Sequence, residues 1–413
     1  MAPPSLRPPP PVLRLAQRVA ASGGRALLVG GSVRDHLMGR SIEDWDIEVF
    51  GISESTLHSL LRPLGPVNAV GRAFAVFKVS TAAGEIDVSL PRRDSKVGPG
   101  HRGIQVEGDP DMTVEEAARR RDLTINAILV DLLSGEILDP WGGLRDLEAG
   151  VLRPVDPETF LEDPLRALRV VQFSARLGFT PTDPLLSLCR RARLDELPAE
   201  RIRGEWRKLL LQGLAPSRGL AVARQTRILE RLFPEAAATD APAVDHALDR
   251  LAARPPLPTE GRWLAVLLAT WLHRGDAETA EATLDRLLLH TWHGYPTRRA
   301  VVAAVTAWQE DPAEDRALRH LSTRVELTVA LLVRWAVTGE VSALARLERA
   351  RALGIAHESP TPLLRGRDLI ALGVAPGPEM GALLKQVYRA QLDGAVQTPA
   401  DALRAARALL DGE

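Results

Sequence analysis

The stretch Arg25-Ala-Leu-Leu-Val-Gly-Gly-Ser-Val-Arg-Asp-His-Leu-Met-Gly-Arg-Ser-Ile-Glu-Asp-Trp-Asp-Ile-Glu-Val49 decides the fold. Ala26 to Val29 is a short apolar run that reads as a buried strand. Gly30 and Gly31 let the backbone turn sharply. Ser32 follows in the position of an N-cap, and Val33 to Met38 has helical composition, ended by Gly39. Asp44-Trp45-Asp46 then opens a second strand-like run. Side chains at i and i+2 of a strand share a face, so Asp44 and Asp46 stand side by side. Adjacent carboxylates repel, and a fold tolerates them more readily with a cation between them. Hard cations such as Mg²⁺ take one or two carboxylates plus substrate phosphates. A glycine turn feeding a helix offers free backbone N–H groups to a phosphate, and Arg34 adds a fork of donors one turn later. A lone Gly-Gly is usually a turn, and a lone Asp-x-Asp is usually a solvated strand face. Their order and spacing together favour a nucleoside-triphosphate site beside a metal platform.

Leu28-Val-Gly-Gly-Ser-Val-Arg-Asp-His-Leu-Met-Gly39 followed by Asp44-Trp-Asp46 resembles the first motif of the class II tRNA nucleotidyltransferases, a family that includes bacterial poly(A) polymerases. The resemblance implies an α+β fold. It would have a DNA polymerase beta-like head, a mixed sheet with helices, followed by an all-helical neck, body and tail. The expected organisation is a disordered proline-rich tail over residues 1–22, a catalytic head over 23–150 and a helical neck over 151–225. A helical, tRNA-binding body and tail would fill 226–413.

Composition sets wider bounds. The 413 residues suffice for several domains, and 45% apolar residues allow real cores. No apolar run reaches the roughly 18 residues of a membrane span, and the proline-rich stretch Met1 to Pro11 lacks an apolar signal core. A single cysteine, Cys189, excludes an internal disulfide and fits a reducing cytoplasm. The net charge of −1 argues against a generic nucleic-acid coat but not against a local basic groove.

Along the head, Ala73 to Val79 and Gly84 to Leu90 read as a pair of strands. Asp87 is either a third carboxylate facing the metals or the solvent side of an alternating strand, and the alternation favours solvent. Arg92 to Glu115, rich in glycine and charge, reads as a loop. In the resembled family this position holds a flexible loop that helps the switch from C to A. Arg119-Arg-Arg-Asp-Leu-Thr-Ile-Asn-Ala127 resembles the second motif, in which Arg121 would clamp triphosphate or sugar and Asn126 would brace the site. Asp139 to Leu147 resembles the third motif, whose glycines and proline serve geometry.

Glu162-Asp-Pro-Leu-Arg-Ala-Leu-Arg-Val-Val-Gln-Phe173 opens a helix. Asp163, Arg166 and Arg169 recur every three residues and share a face. An exposed ion-pair ladder is the ordinary explanation. The functional one is chemical. Cytosine and adenine each show an amino donor beside an unprotonated ring nitrogen. An Asp accepts from the first and an Arg donates to the second, whereas uracil and guanine reverse the pattern and are penalised. The segment resembles the fourth family motif, with one departure: its third arginine is Gln172 here. Leu197 to Leu210 resembles the fifth motif, a neck helix.

Many relatives carry a His-Asp phosphohydrolase domain in the C-terminal half. Here His246 and His273 are isolated, which reads as a degenerate form. The residue pattern and the resemblance together imply a template-independent enzyme that adds CCA, or only its last A, to the tRNA 3′ end from CTP and ATP. Two Mg²⁺ ions would sit at Asp44 and Asp46. Gly30, Gly31, Arg34 and Arg121 would hold phosphates and sugar, and Asp163, Arg166 and Arg169 would face the nucleotide. No membrane and no protein partner is implied. The rivals are a poly(A) polymerase of the same family, a non-catalytic RNA-binding protein and a His-Asp phosphohydrolase.

Overall fold

The computed structural model describes residues 6–42, 44–69, 76–82, 84–96 and 104–411. The chain divides into two compact units, Met1–Pro198 and Ala199–Glu413. The first opens with helix α1 (Pro10–Ala21). Val12, Leu15, Ala16 and Val19 recur at helical spacing and are buried beside Leu28, Ile47 and Val88. Pro10 and Pro11 occupy the first turn, where the missing N–H costs nothing. The expected disordered tail over 1–22 is thus corrected for Pro10–Ala21. Proline composition hid an amphipathic stripe, and residues 1–5 lie outside the described residues.

Strands β1 (Arg25–Val29), β2 (Trp45–Phe50), β3 (Val67–Ala69), β4 (Val76–Thr81) and β5 (Gly84–Ser89) precede a separate hairpin, β6 (Arg92–Lys96) with β7 (Ile104–Gly108). β8 (Leu129–Asp131) and β9 (Ile137–Leu138) complete a seven-stranded mixed sheet in the order β3-β4-β5-β2-β1-β8-β9. β2 and β5 run parallel, and the other neighbours antiparallel. The helices of this unit are α2 (Gly31–Leu37), α3 (Glu54–Leu61), α4 (Val114–Arg119), α5 (Gly143–Ala149), α6 (Leu165–Leu177) and α7 (Asp183–Arg191).

Alternation along the central strands gives the sheet two buried faces. Leu28, Ile47 and Val49 join the core under α1. Leu27, Val29 and Phe50 join a second core with Met112, Ala117, Ala118 and Leu129. Asp46 and Glu48 alternate with Ile47 and Val49, so they emerge on the second face.

Two expectations change here. Arg92 to Glu115 is not a loop throughout: it holds the β6–β7 hairpin and the start of α4, which Thr113 and Glu116 close with a reciprocal capping box. Residues 97–103 lie outside the described residues. The first compact unit also runs on to Pro198. The segment after residue 150 is tied to the head by a bridge from Leu123 to Pro154 and by the Arg169–Asp122 ion pair. The turn of the third motif is geometric. The Asp139 carboxylate accepts from the N–H groups of Gly143 and Leu144 at 2.7 and 2.9 Å. A Cβ on Gly143 would lie 2.2 Å from the Thr124 carbonyl oxygen.

The second unit is helical, from Ala199–Gln212 through Pro399–Asp411. Trp206, Phe233 and Trp271 pack ring against ring, 4.7 to 5.3 Å apart. His273 is buried against the Thr270 carbonyl and the edge of Trp308, and burial lowers its pKa. His246 is exposed, and its neighbour Asp245 pairs with Arg224. Among the described residues no cluster of three His, Cys, Asp or Glu side chains is placed to hold a metal. Among the same residues, no helix is long and apolar enough to cross a membrane.

Candidate active site

The turn after β1 is tighter than the sequence suggested. Gly30, at φ 72°, is itself the N-cap of α2, and Ser32 lies inside the helix. The Ser32 hydroxyl donates instead to the Asp44 carbonyl at 2.6 Å, tying the glycine turn to the start of β2. A Cβ on Gly30 would lie 3.0 Å from Arg121 Nη1. Glycine here therefore serves both a left-handed φ and a close side-chain approach.

Asp44 sits exposed just before β2, and Asp46 is the second residue of that strand. Asp46 is in register with Asp87 on the parallel strand β5. Asp87 also faces Lys78 Nζ at 3.3 Å across the β4–β5 pair. The reading of Asp87 as merely the solvent side of its strand is therefore incomplete: it borders the same cleft. That cleft, about 300 Å³, is lined by Asp46, Glu48, Asp87, Arg92, Arg120 and Arg121 among others. Burial, then the charge of Asp87, pushes the Asp46 carboxyl up to about 6; Arg121 opposes the shift and Asp44 adds to it.

Arg121 reaches Glu48 through Nη2, at 3.4 Å. Its Nε is buried with no hydrogen-bond partner among the described residues. A buried orphan donor beside carboxylates short of positive charge is what an incoming phosphate with its cation would satisfy. Among the described residues no three acidic side chains form a ready-made metal cage. A Mg²⁺ ion held by Asp44 and Asp46 would thus take its remaining ligands from the nucleotide and water.

Behind the turn runs a continuous network. Arg34 is 3% exposed. Its Nη1 donates to Asn126 Oδ1 at 2.7 Å, and its Nε and Nη2 to Asp35. Burial lowers the Arg34 pKa against the opposing pull of Asp35. Asn126 Nδ2 donates to Asp122 Oδ1 at 2.9 Å, and Arg169 Nε donates to Asp122 Oδ2 at 2.6 Å. Burial alone would raise the Asp122 carboxyl, but Arg169, Asn126 and the Leu123 N–H hold it down at about 2.

The expected base readers fall at the start of α6. Asp163 Oδ1 accepts from the Leu165 N–H at 3.0 Å. Arg166 is anchored through Nη1 to the Thr159 carbonyl and through Nη2 to the Arg120 carbonyl. Arg169, itself partly exposed, pairs with the buried Asp122 rather than standing as one rung of a solvent ladder. Gln172, at the departure from the family motif, is buried and accepts from Arg176 Nη1 at 3.3 Å. The structure thus groups Gly30, Arg121, Asp46 and Asp87 at one cleft, and Arg34 with Arg169 in one network. Glu48, Asp122 and Arg120, which border the cleft or the network, were not singled out from the sequence, and Asp87 was weighed there as a third carboxylate but read as the solvent side. The Asp44, Asp46, Glu48 alternation signalled Glu48; Asp122 stood within the second motif without a role.

The mixed sheet, the glycine turn and the carboxylates on β2 define a nucleotidyltransferase of the polymerase beta-like class. Family models agree in sequence. Residues 26–153 match a poly A polymerase head domain, and residues 188–239 match a probable RNA and SrmB-binding site of polymerase A. Residues 263–406 match a putative domain 2 of tRNA nucleotidyltransferase. The chain is 34% identical over 390 residues to the Multifunctional CCA protein of Stenotrophomonas maltophilia, covering 88% of this chain and 91% of that protein. Against the Multifunctional CCA protein of Aromatoleum aromaticum it is 37% identical, covering 73% of this chain and 74% of that protein. In structure it resembles the Bacillus stearothermophilus CCA-adding enzyme in complex with CTP. There the TM-score is 0.74 and the identity 25%, over 98% of this chain and 100% of that one. The chain belongs to the class II CCA-adding enzyme family. Nucleotidyltransferases of this family depend on a divalent metal.

Proposed function

We propose that the cleft at Asp44 and Asp46 carries out template-independent nucleotidyl transfer to the tRNA 3′ end, adding CCA from CTP and ATP with release of pyrophosphate. The observation that carries this reading is the half-buried Asp46, its carboxyl pushed up to about 6, beside Asp87 and near Gly30 and Arg121, in a chain 34% identical over 390 residues to a Multifunctional CCA protein. Two Mg²⁺ ions, when bound, supply activation of the attacking hydroxyl and charge for the leaving pyrophosphate. Asp44 and Asp46 would hold them. Gly30 and Gly31 let the backbone approach the phosphates, and Arg34 and Arg121 donate to them. Asp163 and Arg166 present an acceptor and a donor to the base, which selects C and A over U and G. Arg169 fixes Asp122, and through Asn126 it orients Arg34. The reaction belongs to the cytoplasm, where tRNA and nucleoside triphosphates meet.

The test is sequencing of products from one tRNA trimmed before C74 and another trimmed after C75, each with CTP and ATP. Addition of C, C and A to the first and a single A to the second is expected. Long runs of A on either would instead assign the poly(A) activity of the same family.

A further inference from the structure

Glu48 follows Asp46 by two residues on β2, so both carboxylates leave the same face of the strand. Glu48 is 8% exposed, and Val29, Leu90 and Ala117 line the same cleft. A carboxylate in such surroundings depends on a charged partner. Among the described residues that partner is Arg121, whose Nη2 donates to Glu48 Oε2 at 3.4 Å. The Arg121 backbone is fixed in turn, its N–H donating to the Ala118 carbonyl at the end of α4. A second carboxylate stands within reach of the same guanidinium. A Cβ on Gly30 would lie 3.0 Å from Arg121 Nη1 and 3.9 Å from Asp46 Oδ2, so Arg121 and Asp46 border one point of the cleft. One guanidinium thus stands between two carboxylates, and it is Glu48 to which it is bonded.

We propose that Glu48 is a positioning residue for nucleotide binding: it holds the Arg121 guanidinium off Asp46 and beside the Gly30 turn, where its remaining donors meet the triphosphate. The inference rests on the functional reading above, in which Arg121 donates to phosphates and Asp46 serves a cation. Arg121 Nε, buried with no hydrogen-bond partner among the described residues, is one of the donors so kept. Without the Glu48 charge, Arg121 pairs with Asp46, and that one ion pair withdraws both a donor and a carboxylate from the nucleotide. Phosphates carry no base identity, so CTP and ATP are affected alike. Arg121 meets the phosphates before and during transfer, so the effect falls on KM more than on kcat.

The decisive experiment is a double-mutant cycle in the full chain: Glu48→Gln, Arg121→Ala and the two together, with Glu48→Asp and Glu48→Ala in parallel. KM for CTP and ATP and kcat are measured on trimmed tRNA with Mg²⁺, and the Kd of each nucleotide is measured by calorimetry without tRNA. Glu48→Gln should raise KM and Kd for both nucleotides roughly 3- to 30-fold and leave kcat nearly constant. Glu48→Asp, which keeps the charge, should lie closer to wild type. In the Arg121→Ala background Glu48→Gln should raise neither KM nor Kd, because no guanidinium is left to position. A merely structural Glu48 would act alike in both backgrounds. KM and Kd at the wild-type level in Glu48→Gln, or a rise that persists undiminished without Arg121, overturns the inference; with the wild type extending tRNA normally, the functional reading stays intact. If the wild type extends no tRNA, both fall. Should Glu48→Gln fail to fold, Glu48→Ala carries the same cycle.

Discussion

Asp46 on β2 and Asp87 on β5 stand in register on neighbouring parallel strands. Burial first, and then the charge of Asp87, raise the cost of ionising Asp46, whose carboxyl is pushed up to about 6. The fold accepts an unfavourable charge at the point where the proposed reaction would need a cation site.

That relationship makes a stability prediction. The folded pKa of Asp46 lies above its unfolded value, so between about pH 4 and pH 6 the folded state binds more protons and stability falls as pH rises. Above about pH 6 the full penalty, roughly 1–3 kcal/mol, is present. Asp46→Asn removes it. In EDTA at pH 7.5 the variant should melt above the wild type, and the gap should shrink at pH 4.5. Mg²⁺ should raise the wild-type Tm and leave that of Asp46→Asn nearly unchanged. A wild type that melts higher in EDTA at pH 7.5 would contradict the assignment.

Asp122 makes the opposite prediction. Its folded pKa is depressed to about 2 by Arg169, Asn126 and the Leu123 N–H, against burial. The stability it contributes, roughly 2 kcal/mol, is present above about pH 4 and is lost as pH falls toward 2. Asp122→Asn should lower urea-unfolding stability at pH 7, and its difference from the wild type should close below pH 4. Asp122→Ala should cost more, by about 1–3 kcal/mol, because it also removes the acceptor of the buried Asn126 Nδ2. A pH-independent difference between Asp122→Asn and wild type would show that ionisation of Asp122 is not what stabilises the network.

Asp163 has a structural partner in the Leu165 N–H and, under the proposed function, would meet the base as well. Its carboxylate caps the Leu165 N–H, so Asp163→Ala should lower stability by about 1 kcal/mol. Its role toward the base should appear separately, as a roughly ten- to hundredfold loss of discrimination against UTP and GTP in kcat/KM. Arg34→Ala should weaken all four triphosphates alike. Full discrimination retained by Asp163→Ala would reduce the residue to a cap.

The C-terminal half should show no metal-dependent phosphohydrolase activity. Asp245 is spent on Arg224 and His273 on the Thr270 carbonyl. Assays on 2′,3′-cyclic phosphates with Ni²⁺ or Mn²⁺ check this. Turnover that survives Asp44→Ala would require a second metal centre in the helical unit.

What was legible in the sequence was local. Gly30, Gly31 and the Asp44-Trp-Asp46 run announce themselves through spacing alone, because turn and strand alternation are short-range rules. Asp87 did not, because its place beside Asp46 depends on a parallel pairing between strands about 40 residues apart. Glycine and charge disguised the β6–β7 hairpin as a loop, and proline disguised α1 as a tail. Arg166 and Arg169 were correctly put on one helix. Their partners, the Arg120 and Thr159 carbonyls and the Asp122 carboxylate, come from the packing of α6 on the head and are not written in α6 itself.

The most direct test of the central claim is single-turnover incorporation of radiolabelled CTP and ATP into trimmed tRNA, with Mg²⁺, by wild type, Asp44→Ala and Asp46→Ala. Tight tRNA binding is checked alongside. The account expects ordered addition of C, C and A by the wild type. It expects no detectable transfer by either variant, with tRNA affinity within a few-fold of wild type. Transfer near the wild-type rate by Asp44→Ala or Asp46→Ala would contradict it.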